Sequence, residues 1–178
     1  DYLIVSSKDE SGSNTMLVLV DSKSDGITYN NKVHMDSRTY SDISFSNVKV
    51  DKSNLLSEEN DGDSILEKTF DIARVGLAAE MLGSVQEAFE MTMSYLKERE
   101  QFGVKIGSFQ ALQHRSALMF GEIELCKSIV LKALQAIDSN DSNLPKLASL
   151  AKAKLGMTFK LVSNEAVQMH GGIGVTDD

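Results

Sequence analysis

From Asp61 to Leu144 the chain contains no proline, and through most of that length apolar residues return at the period of an α-helix. This feature narrows the fold more than any other, because such a stretch is satisfied by long helices packed along their sides. Leu66, Phe70, Leu77, Met81, Val85, Phe89, Met93 and Leu96 fall at steps of three, four or seven. They predict one apolar stripe on a helix of about ten turns. After a charged corner, Leu112, Ser116, Met119, Ile123, Cys126, Val130, Ala133 and Ile137 keep the rhythm of an antiparallel bundle. The loop DSNDSNLP, with Pro145 as the only proline, precedes a third helix. That helix offers Leu147, Leu150, Met157, Leu161 and Val167, and Ala148, Ala151 and Ala153 are small enough for close helix approach. Three such helices make most of a four-helix bundle, and a fourth is expected after Asp178.

Upstream the period is different. YLIVSS, TMLVLVD, GITY and DISFSNVKV are short β-branched or aromatic runs separated by Ser, Asn, Asp and Gly clusters that favour turns. In the last run Ile43 and Phe45, then Val48 and Val50, alternate with polar neighbours as a half-wet strand requires. The fold class is therefore α+β: residues 1–56 form the end of an antiparallel β-domain and residues 57–178 a helical bundle. DKSNLLSEENDGDS is the joint between them. Both ends read as cut, which suggests a fragment of a longer chain.

Composition bounds the function. A formal net charge of −8 argues against a general nucleic-acid binder, because a phosphate backbone demands a basic face. One cysteine, Cys126, leaves no internal disulfide and fits a reducing compartment, cytoplasmic or mitochondrial matrix rather than secreted. No apolar run approaches the roughly 20 residues of a membrane span. His34, His114 and His170 lack partners at metal-ligand spacing.

Three short stretches could carry chemistry. In EREQFGVKIGSFQ, Phe102 lies between a polar run and Gly103; a helix corner, with Gly103 as the C-terminal stop and Phe102 packed back on the bundle, explains it without function. In DIARVGLAAEMLG, Arg74 sits in an apolar helical run, and either an ion pair with Asp71, three residues earlier, or an anionic ligand would satisfy it. In HGGIG, the glycines at 171, 172 and 174 demand a sharp turn or a close backbone approach, without the spacing of a dinucleotide loop.

The segment from Arg74 to Gly174 resembles the acyl-CoA dehydrogenase family. ARVGLAAEMLGSVQEAFEMTMSYLKEREQFGVKIGSFQALQHRSALM is similar to its bundle helices and NEAVQMHGGIG to its signature after the third helix; DYLIVSSKD and ISFSNVKVDKSNLL are similar to the end of its middle β-domain. Arg-x-Gln-Phe-Gly followed about 65 residues later by Val-Gln-x-His-Gly-Gly is a specific combination. The resemblance implies FAD held between β-domain and bundle, and oxidation of an acyl-CoA thioester to its trans-2-enoyl-CoA, with electrons passed to an electron-transfer flavoprotein. It implies a homo-oligomer, dimer or tetramer, in which Arg99, Gln101, Phe102 and Gly103 reach the FAD of a neighbouring subunit, with Arg99 on the pyrophosphate. Gln110 matches a second FAD contact, and Gln168, Met169, His170, Gly171 and Gly172 a third. Asp71 and Arg74 match the substrate-side motif facing the CoA. The usual catalytic glutamate is expected after Asp178, and the alternative position is Ala73, which has no acid or base function. Neither Asp71 nor Glu80 substitutes for it. Other readings are a non-catalytic subunit of a heteromeric dehydrogenase, and a related flavin oxidase or monooxygenase.

Overall fold

The computed structural model describes residues 1–57 and 61–176. Contacts divide the chain into two compact units, Asp1–Glu67 and Lys68–Asp178.

The first unit is two hairpins. Strand β1 (Tyr2–Lys8) pairs antiparallel with β2 (Thr15–Asp21), in register from Tyr2↔Asp21 to Lys8↔Thr15. The chain reverses around Asp9, whose carboxylate accepts from the Ser11 hydroxyl and from the backbone N–H groups of Ser13 and Asn14. Along β2, Thr15, Leu17 and Val20 are buried. Strand β3 (Ile27–Val33) pairs with β4 (Thr39–Phe45) in the same antiparallel manner, from Ile27↔Phe45 to Val33↔Thr39. The expected alternation through Val48 and Val50 does not continue β4. Asn47 takes a left-handed φ of 54°, which breaks the pleat after Phe45. A 3-10 turn at Lys52–Asn54 then returns the chain to β2, where Leu56 N–H donates to the Leu17 carbonyl at 2.8 Å and Leu17 N–H to Ser57 Oγ at 3.0 Å.

Helix α1 (Gly62–Glu98) begins against this unit. A Cβ on Gly62 would lie 2.0 Å from the Thr15 carbonyl oxygen, so only glycine allows the helix start to sit there. Asp63 accepts a hydrogen bond from the Thr15 hydroxyl. The first turn of α1 therefore belongs with the strands, and the division falls after Glu67, later than the joint read from composition.

The second unit contains the rest of α1, then α2 (Gln110–Asp138) and α3 (Leu144–His170). Helix α2 buries Met119, Ile123, Cys126, Val130 and Ala133 as its spacing predicts. The other two seams match expectation only in part: Val85 and Leu96 on α1 and Ala148 and Ala151 on α3 are buried as read, and the rest of each line differs. On α1 the buried line runs through Asp71, Val75, Ala78, Val85, Thr92 and Leu96, whereas Phe70 and Leu77 are 48% and 49% exposed. On α3 it runs through Leu144, Ala148, Ala151, Leu155, Thr158 and Val162, while Leu150, Met157 and Val167 are exposed. Both true seams are built largely of small, β-branched or polar residues, so the largest hydrophobes do not mark them. Pro145 stands in the first turn of α3, where its missing N–H is harmless.

The core has two clusters. One is alanine-rich, joining Val75 and Ala78 to Cys126, Val130 and Ala133 and to Ala148, Ala151 and Leu155. The other gathers Val85, Leu96, Met119, Ile123, Val162 and Met169 towards the α1–α2 corner. Burial of each of these larger side chains stabilises by about 1.5–3 kcal/mol. Thr158, buried on α3, accepts from Cys126 Sγ at 3.3 Å, which satisfies a polar group inside the seam. Among the described residues, no helix is long and apolar enough to cross a membrane.

Candidate functional site

The corner after α1 is a miniature hairpin. Helical hydrogen bonding ends as Arg99 N–H donates to the Tyr95 carbonyl at 2.9 Å; β5 (Glu100–Gln101) then pairs with β6 (Val104–Lys105). The two residues between them, Phe102 and Gly103, have φ of 57° and 77°. Successive positive φ values define a type I′ turn. Gly103 is therefore the second turn residue and not the C-terminal stop of α1, which the pairing of Glu100 with Lys105 displaces. Phe102 does not pack back on the bundle: it is 88% exposed and touches Phe109 edge-on, with ring centroids 6.1 Å apart. Lys105 Nζ donates to the Glu98 carbonyl at 2.9 Å and pairs with Glu100 at 2.7 Å. That hydrogen bond, reinforced by the lysine charge, holds the Glu100 carboxyl below the usual glutamate range. Gly107 is required by packing, since a Cβ there would lie 2.7 Å from the Leu96 carbonyl oxygen.

At the far end of α3, Gly171 takes φ 65° and turns the chain into a 3-10 segment, Gly171–Val175. A Cβ on Gly174 would fall 2.6 Å from the Val167 carbonyl oxygen, whereas the Cβ positions of Gly171 and Gly172 meet no atom within 4 Å. The last two glycines therefore keep open backbone that another group can approach.

The corner and the glycine turn form one cleft of about 700 Å³. Arg99, Gln101 and Phe102 line it from the corner, and Gln168, Met169, His170, Gly171 and Gly172 from the end of α3. Met169 is only 4% exposed and serves the core as well. Gln110, the first residue of α2 and exposed, does not line the cleft. Asp71 and Arg74 lie elsewhere. By a helical rise of about 1.5 Å per residue, Arg74 is about 37 Å along the helix axis from Arg99. There the Asp71 carboxylate, 6% exposed, receives a hydrogen bond from Arg74 Nη1 at 2.7 Å, and the 40% exposed guanidinium lies 6.0 Å from the Phe70 ring. The intrahelical pair is thus formed, with part of the guanidinium still open to solvent.

Two features of the cleft are not legible from motifs. Tyr95, one helical turn before Arg99, stacks on the His170 ring at 4.4 Å and donates from its hydroxyl to the His170 carbonyl at 3.4 Å. Arg115 on α2 donates to Glu165 on α3 at 2.5 Å and so ties the two helices beside the cleft. The four-residue step from Tyr95 to Arg99 was the available signal for the first. For the second there was none, because the partners are far apart in sequence. Arg99, by contrast, makes no side-chain ion pair among the described residues, so the cleft holds one uncompensated guanidinium beside open backbone and an exposed aromatic ring. No group of three His, Cys, Asp or Glu able to hold a metal ion occurs among the described residues.

Comparison with known proteins gives this geometry its context. The family "Acyl-CoA dehydrogenase, C-terminal domain" matches residues 60–178. A 3-(aryl)acrylate reductase of Clostridium sporogenes is 35% identical, over 100% of this chain and 48% of its own length. The caffeyl-CoA reductase-Etf complex subunit CarC of Acetobacterium woodii is 38% identical, over 88% of this chain and 42% of its own. An acyl-CoA dehydrogenase structure from Geobacillus kaustophilus superposes with a TM-score of 0.90 at 27% identity, covering 99% of this chain and 48% of that one. This chain spans about half the length of the curated relatives it matches. It belongs to the acyl-CoA dehydrogenase family, a family of FAD-dependent oxidoreductases acting on CH–CH groups.

Proposed function

We propose that the protein carrying these residues catalyses FAD-dependent α,β-dehydrogenation of an acyl-CoA thioester to the trans-2-enoyl-CoA and passes the electrons to an electron-transfer flavoprotein. The observation that carries the reading is the donor set of the cleft: an Arg99 guanidinium without an ion-pair partner among the described residues, open backbone at Gly171 and Gly172, and the Phe102 ring. That set fits a dinucleotide. A guanidinium fork suits a pyrophosphate by shape and permanent charge. Bare glycine backbone admits its close approach, and an aromatic ring covers its apolar parts. Bound FAD supplies hydride acceptance from the β-carbon. Arg99 would hold the pyrophosphate and Phe102 would exclude water beside it, while Gln101 and Gln168 orient polar groups. The Asp71–Arg74 pair, about 37 Å along α1, would serve the CoA of a site completed by a second copy of the chain. On this reading Ala73, which offers no carboxyl, does not take the α-proton.

A second reading is favoured by the relatives' names, two of which are reductases. In it the same chemistry runs towards the saturated thioester. Anaerobic spectral titration of the full-length protein distinguishes the two. Bleaching of oxidised flavin by butyryl-, octanoyl-, palmitoyl- or branched-chain CoA supports dehydrogenation and gives the chain-length class. Recovery of colour when reduced flavin meets an enoyl-CoA, without bleaching by its saturated form, supports reduction. A protein that binds no flavin refutes both.

A further inference from the structure

Resting on the flavin reading above, we propose that a ladder of polar contacts fixes the register of α2 against α3, and that Arg115, Glu122, Lys154 and Glu165 are thereby positioning residues for the cleft. Arg115 Nε donates to Glu165 at 2.5 Å. Further along the same seam Glu122 accepts from Lys154, and from the Thr158 hydroxyl at 3.5 Å. Thr158 in turn accepts from Cys126 Sγ at 3.3 Å. On α2 the ladder runs through Arg115, Glu122 and Cys126, at steps of seven and four; on α3 it runs through Glu165, Thr158 and Lys154, at the same steps in the opposite direction. Steps of seven and four keep each set on one stripe of its helix, and the reversal is what antiparallel helices require.

Apolar burial alone would not choose this alignment. Beside the ladder the seam joins Val130 and Ala133 to Ala148, Ala151 and Leu155, and burial of such side chains is non-directional. Alanine interlocks little, so α3 could slide by one turn, about 5.4 Å, and still bury an apolar stripe. The slide would pull both ion pairs apart. It would also leave the Thr158 hydroxyl and the Cys126 thiol, on residues 1% and 0% exposed, without their partners. A buried hydroxyl left unpaired costs more than a typical hydrogen bond contributes, so the ladder penalises shifted registers. Polar groups in a helix seam specify alignment in this way even where they add little stability.

Register matters here because the cleft takes one wall from each helix. Leu112 and Arg115 line it from α2, and Gln168 to Gly172 from the end of α3. Glu165 stands three residues before Gln168, so the Arg115–Glu165 rung carries the alignment of the seam to that wall. A slip of one turn would carry Gln168 about 5.4 Å past the corner that holds Arg99, farther than a hydrogen bond reaches.

The test uses the full-length flavoprotein, stripped of FAD and titrated with FAD by quenching of flavin fluorescence. It changes the rung that does not line the cleft, since Glu122 lies about 10 Å along α2 from Arg115. E122K and K154E each set like charges against one another in the seam and should weaken FAD binding roughly tenfold. The double variant E122K/K154E restores an opposite pair at the same place and should recover most of that affinity. Val130→Ala is the control: it removes packing from the same seam without touching the ladder, and should lower the urea midpoint with FAD affinity unchanged. Should E122K or K154E not fold by circular dichroism, E122Q and K154M break the rung without a like-charge clash and should weaken binding in the same direction. The inference is overturned if the single variants bind FAD as the wild type does, or if the double variant stays as weak as the singles. It is also overturned if Val130→Ala loses affinity in proportion to its loss of stability, because the ladder would then serve the fold alone. Those outcomes leave the flavin reading intact; a wild-type protein that takes up no FAD sinks the flavin reading and this inference with it.

Discussion

Phe102 holds a backbone conformation that glycine or asparagine would adopt more easily. A bulky residue at φ 57° is unusual and strained, and the strain is stored at the exposed tip of the corner. Phe102→Gly should therefore stabilise the fold slightly, by about 1 kcal/mol in urea unfolding. The same change should weaken FAD binding several-fold, because the apolar wall of the cleft is lost. A loss of stability instead would show that the ring packs on the bundle. Part of this site was legible in the sequence: Arg99, Gln101, Phe102 and the Gln168–Gly172 run share a specific motif pair, and the chain brings both ends together. The conformation was not. Nothing local distinguishes a glycine that stops a helix from one that completes a two-residue turn, because the deciding pair, Glu100 with Lys105, depends on strand pairing rather than on the glycine.

At the scale of elements, α2 could be read from its hydrophobes because its seam consists of them: Met119, Ile123, Cys126 and Val130 are all buried. The α3 reading held for Ala148 and Ala151, read as points of close approach, and failed for the large hydrophobes, for the converse reason. Ala148, Ala151 and Thr158 occupy the seam, and the conspicuous Leu150 and Met157 stand outside it. Truncation separates the two assignments. Leu155→Ala, at a position with no exposed surface, should cost about 2–5 kcal/mol, whereas Met157→Ala, 73% exposed, should change unfolding by less than about 0.5 kcal/mol. Equal losses would restore the seam read from the sequence. The β5–β6 hairpin carries a pH dependence of its own. Its Glu100 carboxyl is held below the ordinary value near 4.3 by the hydrogen bond and charge of Lys105. The stabilisation is present above the ordinary value and disappears as pH falls through the lowered one. Amide shifts of residues 100–105 should thus change with acid in the wild type and not in Glu100→Gln.

The whole molecule poses a problem of reach. Arg74 and Arg99 sit at opposite ends of most of α1, separated by about 37 Å of helix. If a site combines one from each of two chains, a mixture of Arg74→Met and Arg99→Met proteins, unfolded and reassembled together, should regain activity that neither parent has, since each hybrid pair contains one intact site. Continued inactivity of the mixture would place both residues in sites built from a single chain. The exposed apolar residues on the second unit point the same way: Leu118, Leu125, Leu150 and Met157 are each more than half exposed. A chain of this length should therefore self-associate in sedimentation, and a strictly monodisperse monomer would contradict that expectation.

The closed hairpin also bears on kinetics. Arg99 and Phe102 stand on backbone already fixed by the pairing of Gln101 with Val104 and by the bond from Ile106 N–H to the Arg99 carbonyl at 2.9 Å. The corner is thus already formed before a ligand arrives, so capture needs no local rearrangement there. In the two-chain arrangement proposed above, the rate at which flavin is trapped should then follow how often two chains meet, rising with protein concentration and falling on dilution.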